Sequence, residues 1–525
     1  MDMLQPILVD SSDFTEIRGS ECIYVDKTAY FHQLITRRDA RRFFLARPRR
    51  FGKSLMISTL KAIFDGRREL FDGLAISKTD WQWEKYQVLY FNFGFAATSS
   101  EEEFRRSFSN TVKKAVQNAG GKYDSSETAV VNFGNAIDTL SSENNGRGVV
   151  ILIDEYDDPV ARLLNKPEEA EKVRGMLAEF YGQMKDRTGK IRFLMITGVS
   201  KFTKMSVFSA LSNLVDLSFD DDYATMLGYT EAELDEYFAE HMHDHAKALE
   251  MDYDAYRAEL KRWFNGYRFW KFKGESVYNP VSIGMNMSKR EPEFKTYWRT
   301  TGKASMLMNY IKREGFLSID MESVRGVQED DFDVSDIRNL KPVPMLYQTG
   351  YLTICDYNRF LHSYELRVPN EEVRKDLSIL TVAAIADRKP DWVTSLGSKL
   401  LLAEWDEFFD GLKALYAALP YGSKEGTVHE FSYERCLYIL LKSQAIRCTT
   451  EDRQANGQAD IVADSPAGVF IFELKVNESA DEALRQVREK HYDAPYHGRD
   501  LPIWTIGLNF DGNTRHLVEA KAVRI

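Results

Sequence analysis

Over roughly the first 220 positions, short runs of consecutive apolar residues alternate with stretches in which apolar side chains recur every three or four residues. The runs Phe43–Ala46, Val88–Phe93, Val149–Ile153, Phe193–Ile196 and Leu214–Ser218 predict buried strands. Between them, the spacing of Leu55, Ile57, Leu60, Ile63 and Phe64 predicts a helix, and further helices are expected at 101–118, 127–141 and 168–186. An extended piece, Tyr24–Thr28, leads into one more at 28–38. Strands alternating with helices predict a largely parallel sheet that takes its ligand at the carboxyl ends of the strands.

From 229 to 395 the pattern is mostly helical. Thr230 and Glu233 form a capping-type start, and Asn265-Gly266 and Asn279-Pro280 mark turns. Tyr347–Ile354 reads as a helix end followed by a strand, as in a small winged-helix domain. Beyond 396 the pattern gives a helix at Glu430–Leu441, strands around Gly457–Val462 and Val469–Val476, and a helix from Ala480 to Tyr492. The expected division is 1–228, 229–395 and 396–525. The fold class is α/β: a parallel sheet flanked by helices, a mostly helical middle and a C-terminal α/β domain.

The bulk properties narrow this picture. A chain of 525 residues is too long for one core, and about three domains is the length-based expectation. No run approaches the ~18 apolar residues of a membrane span, and the start Met-Asp-Met-Leu-Gln-Pro lacks a secretory pattern. Cys22, Cys355, Cys436 and Cys448 are scattered without metal-ligand spacing, which suits a reducing cytoplasm. The net charge of −11 gives no general attraction for nucleic acid. Locally, eight basic residues between Arg37 and Lys53 face one acid, Asp39, a cluster suited to polyphosphate or a nucleic-acid backbone. For any single arginine, a solvated helix end is the plainer reading.

The strand Phe43–Ala46, the turn Arg47-Pro48-Arg49-Arg50-Phe51 and then Gly52-Lys53-Ser54 give the strand–turn–helix context of a phosphate-binding loop. Successive backbone N–H groups and the helix start would face an anion there. Arg49, Arg50, Phe51, Gly52, Lys53, Ser54 and Leu55 are the nucleotide-binding candidates, with Lys53 on the terminal phosphates and the Ser54 hydroxyl on Mg²⁺. The general pattern wants glycine where Arg47 stands, and Pro48 fixes one φ angle instead. Taken alone, the triplet is equally a basic turn before a surface helix. The apolar strand ending in Asp154-Glu155 supplies the partner: Asp154 for Mg²⁺ and Glu155 as the base that polarises the attacking water. Asp157 and Asp158 read as a hydrated loop. Thr197 and Ser200, at the end of a further strand, are candidates for sensing the γ-phosphate, or else an ordinary strand-ending turn.

A second pattern lies near the C-terminus. Glu473 and Lys475 are two apart, on one face of a strand whose other face carries Phe470, Phe472, Leu474 and Val476. Burying them is costly without a partner or a metal. Asp460, Glu473 and the Leu474 carbonyl would hold Mg²⁺ or Mn²⁺, and Lys475 would orient or deprotonate the water that attacks a phosphodiester. Gln486, with Lys490 one turn on, would line the same pocket, and Glu430 shares a helix face with Tyr433 and Glu434. The plain alternative is a hairpin with an exposed Glu/Lys pair.

Together these stretches resemble the bacterial and archaeal family of AAA-ATPase-like proteins that carry a PD-(D/E)XK nuclease-like domain at the C-terminus. The likeness covers nearly the whole chain. It rests on Tyr24–Thr28, Arg47–Ser54, Ile153–Asp157, Thr197–Phe202, Phe264–Phe269, Tyr278–Pro280, Tyr347–Ile354, Pro369–Arg374 and Gly457–Lys475 with the Gln486 helix. The family's loop also tends to read Arg-Pro-Arg-Arg-Phe-Gly-Lys-Ser. The resemblance implies a P-loop NTPase sheet and a C-terminal restriction-endonuclease-like α/β domain, with Mg-ATP bound by Lys53, Ser54 and Asp154 and a nuclease core of Asp460, Glu473 and Lys475. Where the family favours Tyr-His in the first nuclease helix, this chain has Tyr433-Glu434. The expected activity is ATP hydrolysis coupled to a metal-dependent nuclease acting on nucleic acid. The alternative is a non-nucleolytic ATP-dependent switch toward a protein partner, its C-terminal fold degenerate as a nuclease or serving only to bind nucleic acid.

Overall fold

The computed structural model describes residues 4–144, 146–199, 214–271, 274–297, 308, 311, 323–332, 341–419, 429–454, 457–514 and 516–525, with backbone alone at 429–432, 451–454 and 457–458. The chain divides into two compact units, Met1–Phe294 with Ser323–Pro369, and Lys295–Glu322 with Asn370–Ile525.

The first unit is built on five strands: β1 (Arg42–Ala46), β2 (Val88–Asn92), β3 (Val149–Asp154), β4 (Ile191–Gly198) and β5 (Val215–Asp216). They lie in the order β2-β3-β4-β1-β5, every neighbouring pair parallel. All six residues of β3 are buried, which is why it reads as an unbroken apolar run rather than an alternating one. Ile151 and Ile153 join a core with residues of the helices Glu101–Asn118, Ala129–Glu143 and Pro167–Gly182. Phe180 is its hub, stacked 4.1 Å from Phe133 and edge-on to Phe91 and Phe93. The helix Lys53–Phe64 packs against β3 and β4. β4 therefore stands between the strand that enters the phosphate loop and the strand that ends in Asp154, so three strand ends converge at one edge.

The region that follows is mostly helical. Thr230 and Glu233 form the reciprocal capping box expected from their spacing, opening the helix Glu231–Tyr237. The helix Pro342–Thr349 stops at Gly350, whose φ of +89° is left-handed, and the chain continues into a strand at Thr353–Asn358. A three-stranded antiparallel sheet, β6 (Val324–Val327), β7 (Thr353–Asn358) and β8 (Ser363–Arg367), has the order β6-β8-β7.

The second unit holds a mixed sheet of β9 (Arg447–Gln454), β10 (Gly457–Ser465), β11 (Gly468–Val476), β12 (Ile503–Phe510) and β13 (Leu517–Arg524), ordered β13-β12-β11-β10-β9. Only β11 and β12 run parallel, joined through the helix Ala480–Lys490, whose Val487 packs on Val469 and Ile471. Side chains of the helices Glu371–Ile385, Pro390–Leu401, Trp405–Ala417 and His429–Lys442 pack against the other face of the sheet, around Phe470, Phe472 and Leu474. Among the described residues, no helix is long and apolar enough to cross a membrane.

Candidate active sites

The first site begins where β1 ends. Arg50 and Gly52 both take left-handed backbone angles, φ +68° and +85°, and the second is free for glycine alone. The turn delivers Lys53 into the first helical position with its side chain buried. Its ammonium donates back to the carbonyls of Arg47 at 2.9 Å and Pro48 at 2.8 Å. Burial pushes its pKa down to about 8, against the pull of Asp154, Glu155 and Asp157. Ser54 and Leu55 are half-buried in the first turn.

The glycine missing at 47 is replaced by a side chain that turns away from the loop. Arg47, 2% exposed, donates to the carbonyls of Ala46, Ser218 and Tyr223, and its guanidinium lies 4.2 Å from the centre of the Phe269 ring. Phe51 is anchored beside it, edge-on to Tyr267 and Phe269 at 4.7 and 5.2 Å. Pinned at both ends, the loop holds its bend without a first glycine. The Arg268 guanidinium donates to the Cys355 carbonyl at 2.7 Å, into the three-stranded sheet.

On the other side of β4, Asp154 is fully buried. Its Oδ1 accepts from the Thr197 hydroxyl at 2.6 Å and from the Glu155 amide at 3.0 Å, and its Oδ2 has no protein partner. Glu155, with φ +53°, lies against Gly94: a Cβ on that glycine would sit 1.5 Å from Oε2. Burial, then the charges of Asp154 and Asp158, raise the Glu155 pKa. Asn92, opposite Asp154 in the β2–β3 register, accepts from the Gly94 amide at 2.9 Å.

The expected hydrated loop at Asp157 and Asp158 is not found. Both are buried. Asp157 accepts from the Val199 amide, and Asp158 from Arg49 at 3.0 Å and Arg162 at 2.5 Å. Polar side chains after a strand suggest water, but here Asp157 meets the backbone just past the end of β4, and Asp158 opens the helix Asp158–Arg162 between two arginines. Ser200 lies outside the described residues. Beside the loop opens a cavity of about 140 Å³, mostly apolar, lined by Val9, Tyr24, Leu55, Tyr229 and Pro280 among others. Its walls come from four separated segments, so no local motif announces it.

In the C-terminal sheet, Asp460 stands one step beyond the Ile461–Phe472 pair and so opposite Glu473. Its Oδ2 accepts from the Leu474 amide at 2.7 Å. Glu473 is 1% exposed; Oε1 meets the Lys475 ammonium at 3.1 Å, while Oε2 has no protein partner. Lys475 also donates to Gln486 Oε1 at 2.6 Å. Burial and the Asp460 charge push the Glu473 carboxyl up to about 7. The Glu430 side chain lies outside the described residues. Tyr433 stacks flat on Phe510 at 4.1 Å.

Among the described residues, no three or more His, Cys, Asp or Glu side chains gather as a metal-binding group. Each site instead offers one buried carboxylate oxygen lacking a protein partner, Asp154 Oδ2 and Glu473 Oε2. Such oxygens fit a hard divalent cation that takes its remaining ligands from phosphate and water.

A family model described as "Predicted AAA-ATPase" matches residues 9–208, and one described as "PD-(D/E)XK nuclease superfamily" matches 428–520. The chain is also 32% identical over 522 residues to "Uncharacterized protein in vnfD 5'region" of Azotobacter chroococcum mcd 1, covering 96% of each. The chain belongs to this family of AAA-ATPase-like proteins with a C-terminal PD-(D/E)XK nuclease-like domain. No solved structure matches it. Lys53, Asp154, Glu155 and Thr197 fall inside the AAA-ATPase-like match, and Asp460, Glu473, Lys475 and Gln486 inside the nuclease-like one. Gly94, Asp158 and Arg162 gain their places only through the fold.

Proposed function

We propose that this AAA-ATPase-like protein is a Mg-dependent ATPase coupled to a metal-dependent nuclease that acts on nucleic acid. In this reading 1–228 hydrolyses ATP, 229–395 relays its state, and 396–525 acts on a phosphodiester. The convergence of Lys53, Asp154, Glu155 and Thr197 at neighbouring strand ends carries the first half. Lys53 leaves the two loop carbonyls for the terminal phosphates, and the loop amides from Arg49 to Leu55 cradle the rest. The apolar cavity beside Leu55 takes the base. Glu155 holds the attacking water and accepts its proton. Ser54 and Asp154 would hold Mg²⁺, which would supply positive charge to the phosphates.

At the second site Asp460 and Glu473 would hold a divalent cation, which would supply Lewis acidity toward the phosphodiester, and Lys475, fixed by Gln486, orients the incoming water. Four free cysteines fit the reducing cytoplasm proposed as its location.

Phosphate release from ATP by the full chain, with Lys53→Ala beside it, tests the first half. Release that the variant abolishes supports it; equal release by both samples overturns it.

A further inference from the structure

Asp158 accepts two arginines at once, one from the phosphate loop and one from its own helix. A single i,i+4 pair with Arg162 would satisfy a helix start. The second guanidinium, on Arg49, leaves a charge that one carboxylate does not neutralise. The arrangement is tied to Glu155 twice over. The Asp158 amide donates to the Glu155 carbonyl at 3.1 Å, and Arg162 Nη2 donates at 2.6 Å to the carbonyl of Gly94, the residue on which the Glu155 carboxylate rests. Asp158 is 4% exposed, whereas Arg49 and Arg162 are 29% and 43% exposed and so face open space. The charge of Arg49 acts on both the Lys53 ammonium and the Glu155 carboxylate.

We propose that Arg49 supplies, within the same chain, the cation that stabilises the γ-phosphate in the transition state, and that Asp158 and Arg162 are its positioning residues. This rests on the ATPase reading above. The water oxygen bonds to the γ-phosphorus, the bond from that phosphorus to the β,γ-bridging oxygen breaks, and its electron pair stays on ADP. The water's proton passes to Glu155. Negative charge spreads over the departing and transferred oxygens, where a guanidinium is worth most. Asp158 stores Arg49 beside that spot before nucleotide arrives. Arg162 keeps Asp158 and the Gly94 floor in register, so no arginine from a second copy is needed.

The test is steady-state hydrolysis and calorimetric ATP binding with the full chain, for wild type, Arg49→Ala, Arg49→Lys and Arg162→Ala. Arg49→Ala is expected to lower kcat about 100-fold with the Kd for ATP within about threefold, and Arg49→Lys to keep more activity. Arg162→Ala lowers kcat about tenfold at similar KM, a split that general loosening of the fold would not give. An equimolar mixture of Lys53→Ala and Arg49→Ala chains is expected to give no more activity than the two measured apart. Restored activity in the mixture, or an Arg49→Ala chain as fast as wild type, overturns the inference while leaving the ATPase reading intact. Wild type that binds ATP without hydrolysing it defeats the hydrolytic reading and this inference with it.

Discussion

The hydroxyl of Thr197 donates to Asp154 Oδ1 at 2.6 Å, from one strand to the next, and leaves Oδ2 of the same carboxylate without a protein partner. Two adjacent strand ends thus orient one acid so that a single oxygen remains for a cation. Thr197→Val keeps the volume and removes the donor, and it is expected to lower kcat about tenfold with little change in KM for ATP. Thr197→Ser is expected to stay near wild type. Equal kcat for valine and threonine would show that the hydroxyl does not act through Asp154.

Arg47→Gly restores the general loop pattern and is nevertheless expected to destabilise the first unit. It deprives the buried Ser218 and Tyr223 carbonyls and the half-buried Ala46 carbonyl of a donor and removes the guanidinium from the Phe269 face, a loss of about 3 kcal/mol. Urea unfolding of the full chain followed through its first transition checks this. A variant as stable as wild type would mean that the loop holds its bend without the guanidinium.

Gly94→Ala forces a methyl into the space of the Glu155 carboxylate. The expected result is ATP binding close to wild type with hydrolysis reduced at least about 100-fold, since the base is displaced and the loop is untouched. Calorimetric titration beside phosphate release separates the two.

His241 and His245, on the helix Ala239–Ala248, are buried, and burial lowers the pKa of both. His245 lies between the Tyr256 hydroxyl and the Lys289 carbonyl, with His241 and Asp244 as the charged neighbours that act on it. In the unfolded chain both titrate at about 6.5. As the pH falls below that value the unfolded state takes up protons that the folded state resists, so stability present at neutral pH is lost on the acid side. Melting at pH 7.5 and 5.5 is expected to show a smaller acid-side drop for the double variant His241→Gln, His245→Gln than for wild type. An identical drop would mean that these histidines are not the groups responsible.

Much of this was legible in the chain itself, for local reasons. β3 is buried on both faces and so reads as an unbroken apolar run, and Gly52-Lys53-Ser54 is contiguous where the left-handed Gly52 leads straight into the helix. Glu473 and Lys475 share a face through the strand period of two. What escaped the sequence reading is what topology assembles. Asp157 and Asp158 resemble a wet loop until the fold brings the Val199 amide to one and the Arg49 and Arg162 guanidiniums to the other. Gly94 has no motif, and only the close approach of Glu155 makes it necessary. Arg47 looked like a defect in the loop, because nothing near it in sequence reveals that Ser218, Tyr223 and Phe269 wait for its side chain. The Leu474 amide that fixes Asp460 has no signal in its residue type, because any residue there but proline would carry it.

The most direct measurement of the central claim is nicking of supercoiled plasmid by the full chain in Mn²⁺, beside Asp460→Ala and Lys475→Ala. Wild type is expected to convert the plasmid to the open circle and both variants to leave it intact. Equal background in all three samples would contradict the nuclease half and leave an ATP-driven switch in its place.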